Sequence, residues 1–165
     1  MEPTTLATLQ GMPIFGGIRL DVLQLLLQHS ATVRVPAGSY FFHEQDEAES
    51  LFVLEQGRVA ILKQWGKEDH LLAYMSAGDC FGEMALMDLL PRSASARAIE
   101  DCIALELPRT SLFEIYEKDL EQFALIQMNL GREVSRRLRL ADDRLFRFRV
   151  GAPSADLGED QIHST

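Results

Sequence analysis

The chain has 165 residues, of which 47% are hydrophobic and 25% are charged, and its formal net charge is −9. This size and composition are typical of one domain with a hydrophobic core, or of one domain with an appendage. No apolar run approaches the roughly 18 residues that a membrane span requires. The net negative charge argues against a general nucleic-acid binder.

The N-terminus and the cysteines predict a cytoplasmic protein. MEPTTLATLQ has an acid at position 2 and no basic segment, so we expect no secretory signal. Without export, the two cysteines, Cys80 and Cys102, are expected to be free thiols in a reducing compartment. These cysteines and four scattered histidines lack metal-ligand spacing, so we predict no metal site and no metalloenzyme.

The first predicted elements are a helix and then a series of short strands. Leu20, Leu23, Leu26 and Leu27 recur at helical spacing within IRLDVLQLLLQHS. From residue 31 to residue 107 the chain breaks into β-prone runs separated by turn signals. Such runs at about ten-residue spacing predict an antiparallel sandwich, roll or barrel. The runs are TVRV, SYFFH, SLFVLE, RVAILKQW, HLLAYM and IALEL.

Two helices are predicted after the strands. RTSLFEIYEKD predicts a short helix with Thr110 or Ser111 as its N-cap. A longer helix is predicted from about Leu120 to Phe148, because apolar residues recur in steps of three and four, close to a heptad. This length favours pairing with a second copy in a homodimer, and packing on its own domain is the alternative. Gly131 either weakens this helix or allows a close approach.

The apolar stripe of the long helix is interrupted by one polar residue. It consists of Leu120, Phe123, Gln127, Leu130, Val134, Leu138, Ala141, Leu145 and Phe148. From residue 131 to residue 149, seven arginines accompany three acids, a local net charge of +4. A solvated face with internal ion pairs accounts for such a segment, and a surface for an acidic partner or nucleic acid is the alternative. Residues 149–165 are predicted to be a disordered tail.

One stretch, FGEMALMDLLPRSASARA at residues 81–98, combines groups suited to a sugar phosphate. Gly82 frees the backbone before a short helix, whose first N–H groups and dipole favour an anion. Arg92 offers a planar fork for phosphate oxygens, and Ser93 offers a hydroxyl donor. Glu83 suits a ribose hydroxyl beside that phosphate. The alternative is a surface ion pair between Glu83 and Arg92.

This stretch resembles the phosphate-binding cassette of the cyclic nucleotide-binding domain, the family of the catabolite activator protein and the regulatory subunits of cAMP-dependent protein kinase. It matches the pattern F-G-E-[LI]-A-L…P-R-[SAT]-A-x-[VA]-x-A at nearly every position. The resemblance continues in PIFGGI, VPAGSYFFHEQDEAESLFVLEQGRVAIL and AGDCFGE, and it covers residues 6–148. It implies an α+β fold, in which an eight-stranded antiparallel, jelly-roll-like β-roll is flanked by N-terminal helices and a long C-terminal helix.

The resemblance also implies a ligand site. Glu83 would bind the ribose 2′-hydroxyl, and Arg92 would bind the cyclic phosphate together with Ser93 and three backbone N–H groups. Small residues after Arg92 would leave room for the ligand, and two apolar side chains would line the base pocket. The complete set is Gly82, Glu83, Met84, Ala85, Arg92, Ser93, Ala94, Ile61 and Leu72.

The chain departs from its relatives at two places. Relatives often carry glycine where this chain has Gln45, so we expect that turn to be made differently and outside the cassette. Hydroxyl groups that touch adenine in the catabolite activator protein align near Ala141 and Asp142, and so are absent here. Asp142 or Asp143 would instead accept hydrogen bonds from the base, or would simply face solvent.

The resemblance implies a regulatory module and not an enzyme. We expect cAMP or cGMP as the ligand, with cAMP favoured because no threonine accompanies Ser93, and we expect no cofactor. Only about 17 residues follow Phe148, so we expect no DNA-binding domain, no sequence-specific DNA binding and no membrane association. The expected function is a stand-alone sensor that relays binding through its C-terminal helix to a dimer mate or protein partner. The alternative is an adaptor that uses the arginine-rich helix and has a vestigial pocket.

Overall fold

A computed structural model describes residues 6–152. The chain divides after Leu130 into two units: the first holds both sheets, and the second holds the later part of the long C-terminal helix. The helices are α1 (Leu6–Gln10), α2 (Leu20–Gln28), α3 (Met84–Asp88), α4 (Arg109–Lys118) and α5 (Leu120–Val150), with a 3₁₀ turn at Pro13–Phe15. The strands are β1 (Ala31–Val35), β2 (Tyr40–Phe42), β3 (Ser50–Gln56), β4 (Arg58–Trp65), β5 (Glu68–Ser76), β6 (Cys80–Phe81), β7 (Ser95–Ala98) and β8 (Cys102–Pro108).

The eight strands form two four-stranded antiparallel sheets. The first sheet has the order β1-β8-β3-β6 and the second has the order β2-β7-β4-β5. This arrangement, with helices before and after the strands, confirms the predicted α+β fold with an antiparallel β-roll. The periodicity did not identify β6, which has only two residues, or β7, whose sequence SARA consists mainly of small residues.

Strand β3 separates two hydrophobic cores, because alternate side chains of a strand point to opposite faces. Leu51 and Val53 pack with the helices and with β8, whereas Phe52 and Leu54 pack with side chains from both sheets. All four side chains are buried. The first core therefore attaches the helices to a sheet, and the second joins the two sheets.

The short helix α4 begins differently from the prediction. Its N-cap residue is Pro108, so neither Thr110 nor Ser111 caps it. Ser111 lies within the first turn, and its hydroxyl donates a hydrogen bond to the carbonyl of Pro108 at 2.7 Å. The capping prediction was wrong because the extended end of β8 leads directly into the helix. The Ser111 hydroxyl donates to a carbonyl group and does not accept from one of the unpaired N–H groups of the first turn.

The first part of α5 buries the predicted stripe only at Leu130 and, in part, at Phe123, and it also buries residues outside that stripe. Its buried residues are Gln122, Ile126, Asn129 and Leu130, whereas Leu120 is 61% exposed. The Asn129 amide donates hydrogen bonds to the carbonyls of Ile14 and Gly16, at 3.1 and 2.9 Å. These bonds satisfy carbonyl groups around the 3₁₀ turn, which explains why a polar side chain is buried there.

The second unit is a helical segment that ends at Val150, two residues beyond the predicted end. Leu138, Leu145 and Phe148 are 59%, 52% and 83% exposed. At Gly131, the described residues leave open space around the position of a Cβ atom, so they supply no close approach there. The predicted disordered tail began at residue 149, but residues 149 and 150 belong to the helix. The rest of that prediction, from residue 153 onward, lies outside the described residues.

Candidate functional site

The cassette begins with a glycine that no other residue can easily replace. Gly82 follows β6 and has φ +78°, in the left-handed region. A Cβ atom at this position would lie 2.6 Å from Nη1 of Arg92 and 3.3 Å from a ring carbon of Phe42. The turn therefore requires glycine both for its backbone conformation and for the arginine that packs against it.

Arg92 is buried at the centre of the cassette, with only 4% of its surface exposed. Its Nη1 donates a hydrogen bond to the carbonyl of Gly82 at 2.9 Å, and its Nη2 donates one to the carbonyl of Ser50 at 2.7 Å. The Nε atom is buried and has no hydrogen-bond partner among the described residues. An unsatisfied buried N–H donor on a cation is costly, and an anion is the acceptor that best satisfies it.

The electrostatic environment of Arg92 is strongly acidic. Burial lowers the pKa of the Arg92 guanidinium, while the carboxylates of Glu106, Asp46 and Glu83 act in the opposite direction. Glu83 itself is only 2% exposed. Glu106 accepts a hydrogen bond from the Ser50 hydroxyl at 2.7 Å, so it also supports the residue whose carbonyl holds Arg92. The alternative of a surface ion pair between Glu83 and Arg92 does not hold, since both groups are buried.

The turn before β3 lies outside the cassette in the sequence but is hydrogen-bonded to it, and the expectation that this turn is made differently is wrong. Gln45 has φ +73°, so it keeps the left-handed conformation that glycine favours. Its N–H group donates to the carbonyl of Arg92 at 2.8 Å, and the N–H group of Arg92 donates to the carbonyl of Asp46 at 2.9 Å. Sequence reasoning missed this support, because backbone hydrogen bonds leave no side-chain pattern.

A polar network ties the residues after Arg92 to β4. Nζ of Lys63 donates to the carbonyl of Ser93 at 2.7 Å and to a carboxylate oxygen of Glu44 at 3.0 Å. The N–H group of Gln64 donates to the other oxygen of Glu44. The bond from Gln64, together with the bond from Lys63, lowers the pKa of the Glu44 carboxyl. The main chain of Glu44 in turn donates to the hydroxyl of Ser95 at 2.8 Å.

The remaining predicted residues have different environments. Ala94 is 7% exposed, and Ser93 is exposed. Met84 and Ala85 are the first two residues of α3, and the Met84 side chain is 49% exposed. The small side chains that follow Ala94 on β7, at positions 96 and 98, are fully buried in the second core. They allow the two sheets to approach each other.

The two predicted base-pocket residues lie on neighbouring strands around a bulge. Ile61 pairs with Ala73, and Leu62 pairs with Leu71, so Leu72 is an extra residue of β5. Ile61 is half-buried against the second core, and Leu72 is 46% exposed. Both consecutive leucines belong to the exposed first half of β5, in which every residue from Glu68 to Leu72 is exposed.

The arginine-rich helix carries ion pairs along its own surface. Arg136 pairs with Glu133 at 3.0 Å, and Arg147 pairs with Asp143 at 2.8 Å. Such pairs at i,i+3 and i,i+4 are the contacts of a solvated helix face. Asp142 is exposed. Whether either acid meets a nucleotide base stays a prediction.

Within residues 6–152, no group of three or more histidine, cysteine, aspartate or glutamate side chains is arranged to hold a metal ion. Both cysteines are buried free thiols. None of the described helices is long and apolar enough to cross a bilayer.

Comparison with known proteins identifies the same family as the cassette. The family model for the cyclic nucleotide-binding domain matches residues 32–119. The cyclic AMP receptor protein of Thermus thermophilus is 33% identical over 135 residues, which cover 81% of this chain and 61% of that protein. The regulatory subunit of cAMP-dependent protein kinase from Emericella nidulans is 31% identical over 103 residues, covering 62% of this chain and 24% of the subunit.

Solved structures agree with the sequence comparisons. The crystal structure of the Thermus thermophilus catabolite activator protein superimposes with a TM-score of 0.71 at 31% sequence identity. The match covers 83% of this chain and 63% of that chain. The chain therefore spans less than two thirds of the length of these relatives.

Proposed function

Because the chain belongs to the cyclic nucleotide-binding domain family, we propose that it binds a 3′,5′-cyclic mononucleotide in its cassette, with cAMP preferred over cGMP. Relatives named for cAMP support this preference, as does the absence of a threonine beside Ser93. The paired Glu83 and Arg92 favour a mononucleotide over a cyclic dinucleotide, since they suit one ribose and one phosphate.

The observation that carries this proposal is the orphan Nε–H group of Arg92. Two of the three guanidinium nitrogens are held by the carbonyls of Gly82 and Ser50, and the third has no acceptor among the described residues. A cyclic phosphate carries one negative charge and would supply an acceptor for this donor. It would also offset the free-energy cost of burying the cation, because a hydrogen bond between charged groups is stronger than one between neutral groups.

Glu83 and the apolar side chains would hold the rest of the nucleotide. A carboxylate accepts hydrogen bonds only, which suits the 2′-hydroxyl of a ribose next to the phosphate. Ile61 and Leu72 would offer apolar surface to the base. The exposed side chain of Leu72 leaves apolar area that a bound base would cover.

Signal transmission would run from the cassette to α5 through the first core. Leu86 of α3 packs against this core, which also contains Ile126 and Leu130 of α5. A ligand that reshapes the cassette would change the packing of Leu86, and hence the start of α5. The ligand would drive this change only to the extent that it binds one arrangement more tightly than the other.

The later part of α5 would present the output surface to a second copy of the chain. Leu138, Leu145 and Phe148 lie at heptad-like spacing, and each has more than half of its side chain exposed. Pairing of two such stripes would cover apolar surface that is otherwise in contact with water. The output of the sensor would therefore be a changed helix–helix contact in a homodimer, or in a complex with another helical partner.

Calorimetric titration with cAMP, cGMP, cyclic di-GMP and 5′-AMP tests the ligand. We expect heat of binding with cAMP, weaker binding with cGMP, and little with the dinucleotide or the open-chain nucleotide. The matched variant is Arg92→Ala, which should weaken cAMP binding by about 1.5–3 kcal/mol, the scale of a hydrogen bond to a charged group. No binding of any cyclic nucleotide, or an unchanged affinity in Arg92→Ala, would overturn the proposal.

A further inference from the structure

We propose that Phe42 is a positioning residue for the nucleotide phosphate, because it holds the guanidinium plane of Arg92 by a cation–π contact. This inference rests on the proposed function, and it assigns to Phe42 a role that the cassette sequence does not contain. Phe42 lies on β2, fifty residues before Arg92 in the chain.

The contact between the two groups is close and directional. The guanidinium carbon of Arg92 lies 4.0 Å from the centroid of the Phe42 ring, and 5.9 Å from that of Phe52. The carbonyls of Gly82 and Ser50 meanwhile accept hydrogen bonds from Nη1 and Nη2. The hydrogen bonds limit movement within the guanidinium plane, and the ring limits tilting out of it. Together they set the direction of the Nε–H group.

A β-bulge places Phe42 where it can make this contact. Tyr40 pairs with Arg97 of β7, and Phe42 pairs with the next residue of that strand, Ala96, so Phe41 is an extra residue of β2. Both Phe41 and Phe42 consequently pack against the same two rings, those of Phe52 and Phe81. In a regular strand, neighbouring side chains would point to opposite faces.

The ring contributes more than its apolar surface. Arg92 is a buried cation, and the negative face of an aromatic ring stabilises a desolvated cation more strongly than an aliphatic side chain does. A leucine at position 42 would keep apolar packing but would provide no quadrupole. The guanidinium would then be free to tilt. The Nε–H group would be able to donate a hydrogen bond to the phosphate in a smaller fraction of its orientations.

An opposite role for the same contact makes the proposal testable. If the ring instead held Arg92 away from the ligand, its removal would raise nucleotide affinity. If Phe42 were only a core residue, its removal would lower stability and leave the affinity of the folded protein unchanged. The sign and size of the affinity change therefore separate the three roles.

The experiment compares Phe42→Leu with Phe41→Leu in the full chain, with cAMP affinity measured by calorimetry and unfolding free energy measured in urea. Phe41→Leu is a matched control, because it removes a ring from the same aromatic cluster without removing the ring that stacks on Arg92. We expect Phe42→Leu to weaken cAMP binding about five- to thirtyfold and Phe41→Leu less than about twofold. We expect the affinity of Phe42→Tyr for cAMP to lie within about threefold of that of the unaltered protein, because tyrosine keeps an aromatic face.

Each remaining outcome counts against the inference. Equal affinity in Phe42→Leu and Phe41→Leu, tighter binding in Phe42→Leu, or no rescue by Phe42→Tyr would overturn it. If Phe42→Leu does not fold, Phe42→Met provides a second side chain without a π face, with the same expectation. Failure of the unaltered protein to bind any cyclic nucleotide would overturn the proposed function and this inference together, whereas normal binding without a Phe42 effect overturns only the inference.

Discussion

A Cβ atom placed on Gly82 would lie 2.6 Å from Nη1 of Arg92. The same nitrogen donates a hydrogen bond to the carbonyl of Gly82 at 2.9 Å. The Arg92 guanidinium therefore lies where a side chain at position 82 would be, so a larger residue in the turn would displace the arginine.

Gly82→Ala should disturb both stability and ligand binding. The left-handed backbone should cost about 1–2 kcal/mol of unfolding free energy in any residue with a Cβ atom, and the added methyl would displace the Arg92 guanidinium. We expect cAMP affinity to fall about tenfold or more, the cost of one misplaced charge-assisted hydrogen bond. Urea unfolding and calorimetry measure the two effects separately.

Gly78→Ala is the matched control for this substitution. Gly78 also has a positive φ of 94°, but a Cβ atom there would meet no described atom within 4 Å. It should lose similar stability through backbone strain while keeping its cAMP affinity. Equal affinity losses in the two variants would show that the clash with Arg92 has no effect on binding.

Replacing Gln45 should reveal strain stored in the turn that holds Arg92. Gln45 adopts φ +73°, and only its backbone N–H group bonds to the Arg92 carbonyl. Gln45→Gly should raise the unfolding free energy by about 0.5–1 kcal/mol, because relief of the left-handed conformation exceeds the greater entropy of glycine in the unfolded chain. Ligand affinity should not change, since the N–H group remains.

Gln45→Ala separates the backbone effect from loss of the side chain. Alanine keeps the unfavourable φ, so its unfolding free energy should match that of the unaltered protein within a few tenths of a kcal/mol. A stability gain in Gln45→Ala equal to that in Gln45→Gly would mean that the side chain, and not the backbone, was the source of strain.

The proposed dimer should depend on the exposed apolar stripe of α5. Leu138→Lys combined with Leu145→Lys would place like charges in a paired seam and should convert the dimer to a monomer at tens of micromolar, as measured by light scattering. The control combines Ser135→Lys with Phe146→Lys, which adds the same charge outside the stripe and should leave the dimer intact. A monomeric mass for the unaltered protein would contradict this prediction directly.

Acid should weaken the first unit partly through Arg19. Arg19 pairs with Asp21 at 3.1 Å and with Asp119 at 2.6 Å, joining the start of α2 to the residue before α5. Its hydrogen bonds lower the pKa of both aspartates below the ordinary value of 3.8. An acid with a lowered folded-state pKa stabilises the fold above its unfolded pKa, and this stabilisation disappears as the pH falls through the folded value.

Arg19→Met should therefore flatten the loss of stability below about pH 5, because the excess of protons that the unfolded chain binds over the folded chain becomes smaller. Urea midpoints between pH 3 and pH 7 measure this slope. Lys67→Met, which removes one positive charge from the turn between β4 and β5, is the control and should leave the slope unchanged. The idea is wrong if both variants change the slope equally.

Much of the site could be predicted from local sequence. Gly82, Glu83 and Arg92 lie within eleven residues, and each has a side chain or backbone property that suits its part of a nucleotide. The rest could not be predicted, because it comes from distant segments. Ser50 contributes only a carbonyl, and Phe42 contributes a ring that looks in the sequence like an ordinary core residue.

Local sequence was sufficient to predict six of the eight strands, the helices α2, α4 and α5, and the cassette with its arginine, because periodicity, glycine and charge act over a few neighbouring residues. Three features became visible only in the folded chain: the buried face of α5, the left-handed turn at Gln45, and the contacts of Arg92 with Ser50, Gly82 and Phe42. These features depend on sheet register, a β-bulge and backbone carbonyls brought together from distant parts of the chain. Around Arg92 the physical reason is that a buried cation needs acceptors and a stacking partner, which here come from segments far apart in the sequence.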